Sequence, residues 1–260
     1  NSFETKGHTE GQPIVQSYKG KQQLFVVAGK DGLYALDPVT LKKRWHRNSG
    51  HSDAAVTTAG RSVFLGTGRE KGDRKKVKAF ALSYDFETGK TLWKRELAAS
   101  SWMPPVLVGN DVCFIMGEIY FKSDLGGVSC FKQKSGRPSV TFNIADPVTG
   151  IPLVIGSNIY VADVSGNLCK LSTVDKNVKW CKKTKSKGFS FSSPTYDPYR
   201  GVIAFASRSK GIFVLNPDSG EIIKNWHPKD WKSTFASVAV TKEAWLLVDF
   251  SGKVRKLSIQ

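Results

Sequence analysis

The apolar positions of this chain fall in short runs rich in β-branched and aromatic residues, and turn residues separate the runs. In the first group, "PIVQSY" is predicted as an inner strand and "QQLFVVAG" as the second. "KDG" supplies the positive φ that a tight hairpin needs, "LYALD" is the third strand, "PVTLK" a turn, and "KRWHR" the outer strand. "SVFLGTG", "DVCFIMG", "SNIYVAD" and "GVIAFAS" repeat the second strand further along. The outer strands carry aromatic anchors at Trp45, Trp93, Phe142, Trp180 and Trp226, at spacings of 48, 49, 38 and 46 residues. A four-stranded propeller blade repeats every ~40–50 residues. The strand texture excludes helical solenoids.

The last group has three strands and stops before any Trp strand. Phe3 stands 11 residues before Ile14, as Trp45 stands 11 before Val56. The expected architecture is all-β: a six-bladed propeller of four-stranded antiparallel blades, with blades near 13–46, 54–96, 104–144, 151–183, 191–228 and 236–260 plus 1–6. In this reading the strand around Phe3 completes the last blade, closes the ring without an open edge, and makes residues 1–260 one whole domain.

"DGLYALDPVTLKKRW" and "ETGKTLWKREL" resemble the pyrroloquinoline-quinone (PQQ)-type propeller repeat, whose pattern is a Gly, an Ala-Leu-Asp, a Thr-Gly-Lys turn and a Trp. The resemblance implies that each Trp packs its indole between neighbouring blades. These are fold residues, so they argue architecture and carry little function. Relatives with this repeat include quinoprotein dehydrogenases and a periplasmic scaffold lipoprotein of the outer-membrane β-barrel assembly machinery, both with eight blades. The dehydrogenases hold PQQ over a vicinal Cys-Cys disulfide beside a calcium or lanthanide ion. This chain has four cysteines and no Cys-Cys pair, so the expectation is a non-dehydrogenase member with no PQQ.

Lys plus Arg exceeds Asp plus Glu to give a formal charge of +17, which favours polyanionic partners or simply a solvated basic surface. No apolar run reaches the ~18 residues that span a bilayer. The start, "NSFETKGHTEG", lacks the basic and apolar regions of a signal peptide. His8, His46, His51 and His227 stand in no metal or catalytic motif. His8 and His51 do share nearly one phase, five and six residues after Phe3 and Trp45. No nucleophile elbow and no Walker loop is present, and "GTGREKG" reads as a hairpin loop. The expectation is no catalytic residue and no metal.

Strand register places Cys113 opposite Cys130 and Cys169 opposite Cys181. Opposed residues of antiparallel strands are within disulfide reach. Two such coincidences favour disulfides and an oxidising compartment over four buried thiols. That leaves a secreted or periplasmic protein as the expectation, with a cytoplasmic location or a place in a longer chain as alternatives.

The hairpins between second and third strands, and the links between blades, emerge on one face. They carry Arg69, Arg74, Lys75 and Lys76, then Lys182, Lys183, Lys185 and Lys187, then Arg208 and Lys210. Nine residues beyond their anchors stand Trp102, Phe189 and Phe235, at the expected mouth of the channel, with Trp231 in the link before Phe235. These rings are either a rim for a ligand with anionic and stackable parts, or core that plugs the channel. The leading reading is a monomeric, non-catalytic scaffold that engages a protein or an anionic ligand (glycan, lipid head group or nucleic acid) through this face. A six-bladed hydrolase or lactonase-like enzyme, for which Asp249 and scattered histidines are the only candidates, and a nucleic-acid-binding propeller are the alternatives.

Overall fold

The computed structural model describes residues 1–70, 77–118, 125–186 and 190–258. Among the described residues the regular elements are strands, arranged in six antiparallel sheets. The chain divides into two compact units, Asn1–Ala145 and Asp146–Gln260.

The first unit holds three four-stranded sheets, each a meander of sequence neighbours. The first sheet is Ile14–Tyr18, Lys21–Ala28, Gly32–Leu36 and Lys43–Arg47. The second is Thr57–Ala59, Ser62–Gly66, Ala79–Asp85 and Thr91–Leu97. The third is Val106–Val108, Asp111–Gly117, Gly126–Lys132 and Pro138–Ile144. In the second unit, the fourth sheet is Leu153–Ile155, Asn158–Ala162, Leu168–Ser172 and Asn177–Lys182, and the fifth is Thr195–Asp197, Val202–Ser207, Gly211–Leu215 and Ile222–Trp226. The sixth sheet has three strands, Ala239–Val240, Trp245–Val248 and Val254–Leu257.

Burial explains the sequence texture. The third strands Gly32–Leu36, Leu168–Ser172 and Gly211–Leu215 are buried along their whole length, and the first and last of them read as continuous apolar runs. The outer strands face water, and in Lys43–Arg47 only the anchor Trp45 is buried. All five four-stranded sheets slip register once between their third and fourth strands, at Ala35/Leu36, Ser83/Tyr84, Cys130/Phe131, Lys170/Leu171 and Val214/Leu215. A bulge recurring at one place adds twist to every outer ladder.

The outer turn repeats its chemistry too. Asp37 Oδ1 accepts from the backbone of Val39 and Thr40, Asp85 Oδ1 from Thr88, and Asn216 Oδ1 from Asp218 and Ser219. Gly89, Gly136 and Gly220 then take positive φ. On each lies the indole of the preceding sheet: a Cβ on these glycines would come within 2.7, 2.6 and 2.5 Å of Trp45, Trp93 and Trp180. Each indole Nε1 donates to a carbonyl of the same turn, on Phe86, Gln133 and Asp218. The Gly of the repeat therefore exists to receive the Trp of its neighbour.

Residues 1–13 form no strand, so the strand expected around Phe3 is absent. The backbone there is otherwise engaged: Lys6 N donates to Asp31 Oδ2 at 3.0 Å, and Thr5 Oγ1 to the Gly7 carbonyl at 2.8 Å. Phe3 nevertheless acts as an anchor. It packs edge-on against Tyr34 of the first sheet with ring centroids 5.2 Å apart, much as Trp45 meets Tyr84 of the second at 6.5 Å. With three strands in the sixth sheet, an apolar groove lined by Val214, Ile223, Trp226, Trp245 and Leu257 stays open within the second unit.

Candidate functional site

In the first unit three described cations of the hairpin face, Arg69, Lys30 and Lys78, are partnered by carboxylates. Arg69 Nη2 lies 2.6 Å from Glu118 Oε1, and the Glu118 side chain is 2% exposed. Ser100 bridges the pair, accepting from Arg69 N at 3.0 Å and donating its own N to Glu118 Oε1 at 3.0 Å. Arg69 is thus a clamp between neighbouring hairpins, with its charge compensated. Lys30 pairs with Glu70 at 2.7 Å and Lys78 with Glu96 at 2.7 Å. Trp102 is buried beneath this loop. A Cβ on Gly68 would strike its ring at 2.8 Å, and its edge meets His51 at 5.5 Å. The ring works here as packing.

Three residues absent from the expected site meet beside Trp102. His8 Nε2 is 3.2 Å from Asp53 Oδ1, and His51 Nε2 is 2.8 Å from Asp53 Oδ2. Burial alone would lower the proton affinity of His51, but the hydrogen bond and charge of Asp53 outweigh it and the net shift is upward. His46 stands apart from this group. It stacks on Tyr34 at 4.1 Å with Nε2 2.6 Å from the Asp31 carbonyl.

The second unit presents a different face. Phe235 is 38% exposed and makes edge contacts with Phe191 at 4.9 Å and with Phe250 at 5.0 Å, itself 58% exposed. The Arg208 guanidinium lies 5.2 Å from the Phe235 ring centre. Trp231 fixes that arginine's backbone, its Nε1 donating to the Arg208 carbonyl at 3.0 Å, and itself packs on Trp226 at 6.4 Å. Ser186 and Ser209 hydroxyls meet at 3.4 Å and join the loop carrying Lys183 and Lys185 to the hairpin carrying Arg208 and Lys210. Lys183, Lys185 and Lys210 are exposed and Lys182 half-buried, and none of the four makes an ion pair with another described residue. Among described residues, then, the unit combines open aromatic rings with cations that lack a carboxylate.

Asp249 lies in the turn beside Phe250. The Ser251 hydroxyl and the Arg255 guanidinium hold it down at about 2, against the opposing effect of burial. It is an ion-paired structural acid, 2.7 Å from Arg255 Nη2. His227 Nε2 lies 3.3 Å from the Ser209 carbonyl and away from any carboxylate pair. Arg74, Lys75, Lys76, Lys187 and Phe189 lie outside the described residues.

Both cysteine pairs form. Cys113 pairs with Cys130 in the third sheet and Cys169 with Cys181 in the fourth, each at directly opposed ladder positions. The first disulfide is buried at both ends, whereas Cys181 is exposed.

Sequence reasoning missed Phe191, Phe250 and the His8–Asp53–His51 group. The shared phase of His8 and His51 was the available signal for the last.

The family pattern of the outer membrane protein assembly factor BamB matches residues 7–118 and 73–254. BamB from Moraxella catarrhalis superposes with a TM-score of 0.69 at 17% identity, over 96% of this chain and 70% of that one. A europium-containing methanol dehydrogenase gives 0.65 at 13% identity, over 84% of this chain and 50% of its own. Quinohemoprotein alcohol dehydrogenase from Comamonas testosteroni gives 0.63 at 14%, over 96% and 45%. The chain thus spans half or less of these two dehydrogenases. At such identities these likenesses concern the fold. No curated protein sequence matches the chain.

Proposed function

Because the chain belongs to the family of the outer membrane protein assembly factor BamB, we propose that it is a non-catalytic β-propeller scaffold that binds a protein partner through the hairpin face of its second unit. The six sheets are read as the blades of one propeller. The observation that carries the proposal is the ring group of exposed Phe235 and Phe250 with half-buried Phe191, beside Arg208 and next to lysines with no carboxylate partner among the described residues. Open rings anchored among cations suit a partner segment that offers apolar and acidic side chains together. Membership of an outer-membrane assembly factor family and two disulfides support an oxidising compartment outside the cytoplasm.

The residues do not fit PQQ. All four cysteines are engaged in cross-strand pairs separated by 17 and 12 residues, which leaves no vicinal disulfide for a quinone to lie on. We therefore assign the chain no quinone chemistry.

Site-specific photo-crosslinking in living cells tests this reading. A photoreactive phenylalanine analogue at Phe250 is expected to give a discrete protein adduct. The same analogue at Val39 or Val174, which are 81% and 72% exposed on outer turns, is expected to give none. Adducts from the outer turns alone, or none from Phe250, would refute it.

A further inference from the structure

His8, His51 and Asp53 bring their ligand atoms within 4.8 Å of one another. The Asp53 carboxylate lies between the rings, 3.2 Å from His8 Nε2 and 2.8 Å from His51 Nε2. In a tetrahedral zinc shell, ligand atoms stand about 3.3 Å apart, so only small side-chain movements separate this arrangement from a coordinating one. Glu10 Oε1, 3.9 Å from His8 Nε2, is within reach of a further position.

Three observations separate the group from an ordinary surface cluster. The His51 side chain is 3% exposed, and its Nδ1 has no hydrogen-bond partner among the described residues. The ring can therefore turn to offer either nitrogen without breaking a second bond. The His8 ring lies over Gly29, where a Cβ would come within 2.8 Å of its Cε1, so that backbone leaves room for the imidazole. Trp102 walls the buried side at 5.5 Å from His51, while His8 keeps the other side open to solvent.

We propose that His8, His51 and Asp53 form a binding site for a divalent first-row transition cation of the zinc class, with Glu10 or water completing the shell. Two imidazoles and one carboxylate suit zinc, nickel or copper, whereas calcium and magnesium prefer all-oxygen shells. A bound ion would fasten the N-terminal segment to the link after the first sheet, and so stabilise the fold by mass action. The proposal is independent of the partner face in the second unit.

The test uses the full chain, stripped with chelator and titrated calorimetrically with zinc chloride at neutral pH. One ion per chain is expected. His8→Ala and Asp53→Asn are each expected to weaken binding by about tenfold or more, and His46→Ala to leave it unchanged. Zinc should raise the Tm of the wild type and not that of His8→Ala. Because His51 is buried, the test rests on the exposed His8, with far-UV circular dichroism to check that the variant is folded. No binding at ~100 µM zinc, a range in which a useful site would raise Tm, would overturn the proposal. So would stoichiometric binding that His8→Ala and Asp53→Asn leave intact.

Discussion

The two units share sheets, turns and bulges, yet their hairpin faces differ in how charge and aromatic surface are used. In the first unit Arg69, Lys30 and Lys78 each stand against a carboxylate, and Trp102 is buried. In the second, Lys183, Lys185 and Lys210 have no described carboxylate partner, and Phe235 and Phe250 reach solvent. Trp102 and Phe235 hold the same repeat position, nine residues beyond Trp93 and Trp226. What separates them is local: Gly68 leaves room for the indole to pack beneath its loop, whereas Phe235 meets two other rings and an arginine. Among the described residues the two hairpin faces therefore use their positive charge differently. The described pairs in the first unit hold neighbouring segments together, whereas Lys183, Lys185 and Lys210 in the second face solvent.

Stability should separate the faces most strongly. Arg69→Ala strands a buried carboxylate at Glu118 and is expected to cost about 3 kcal/mol in urea unfolding. Lys185→Ala should stay within about 0.5 kcal/mol. Equal costs would dissolve the distinction. The disulfides sharpen it next. Replacing either pair by serines should cost about 2–3 kcal/mol for loops of this length. Only Cys169–Cys181, with Cys181 exposed, should yield to mild reductant in the native protein. Mass spectrometry after alkylation should then count two labelled thiols; four or none would contradict the difference in burial.

The smallest effect is acid sensitivity near Phe250. Asp230 is held at about 2 by Lys253 and Arg255, and Asp249 at about 2 by Ser251 and Arg255, both below the ordinary 3.8. A depressed carboxylate contributes stability that is complete above its unfolded value and lost as pH falls through its folded value. Asp230→Asn should therefore flatten the stability profile between about pH 4 and pH 2, with no change in slope near neutrality. A thermal-melt series across that range checks it.

The legible part of the molecule is the local part. Strands, outer turns and both cysteine pairs follow from periodicity and ladder register, which one stretch of sequence contains. The sixth sheet's three strands were readable in the same way. The absence of a strand at Phe3 was not, because Lys6 bonds Asp31 in another element, and nothing in "NSFETKG" announces that. The site was harder still. Arg69 reads as a free cation until Glu118, 49 residues away on the next sheet, is placed against it. His8 and His51 share a phase, but only the fold brings Asp53 between them. Phe191 and Phe250 look like ordinary strand and turn residues until their rings meet Phe235.

The most direct measurement is the affinity of the full chain for a labelled acidic peptide containing apolar residues, compared between two charge-reversal variants. One carries Lys183→Glu, Lys185→Glu and Lys210→Glu; the other carries Lys30→Glu and Lys78→Glu. At least about a tenfold loss is expected for the first, less than about twofold for the second, and wild-type binding that weakens as salt rises. Equal losses in the two variants, or wild-type binding indifferent to salt, would contradict that expectation.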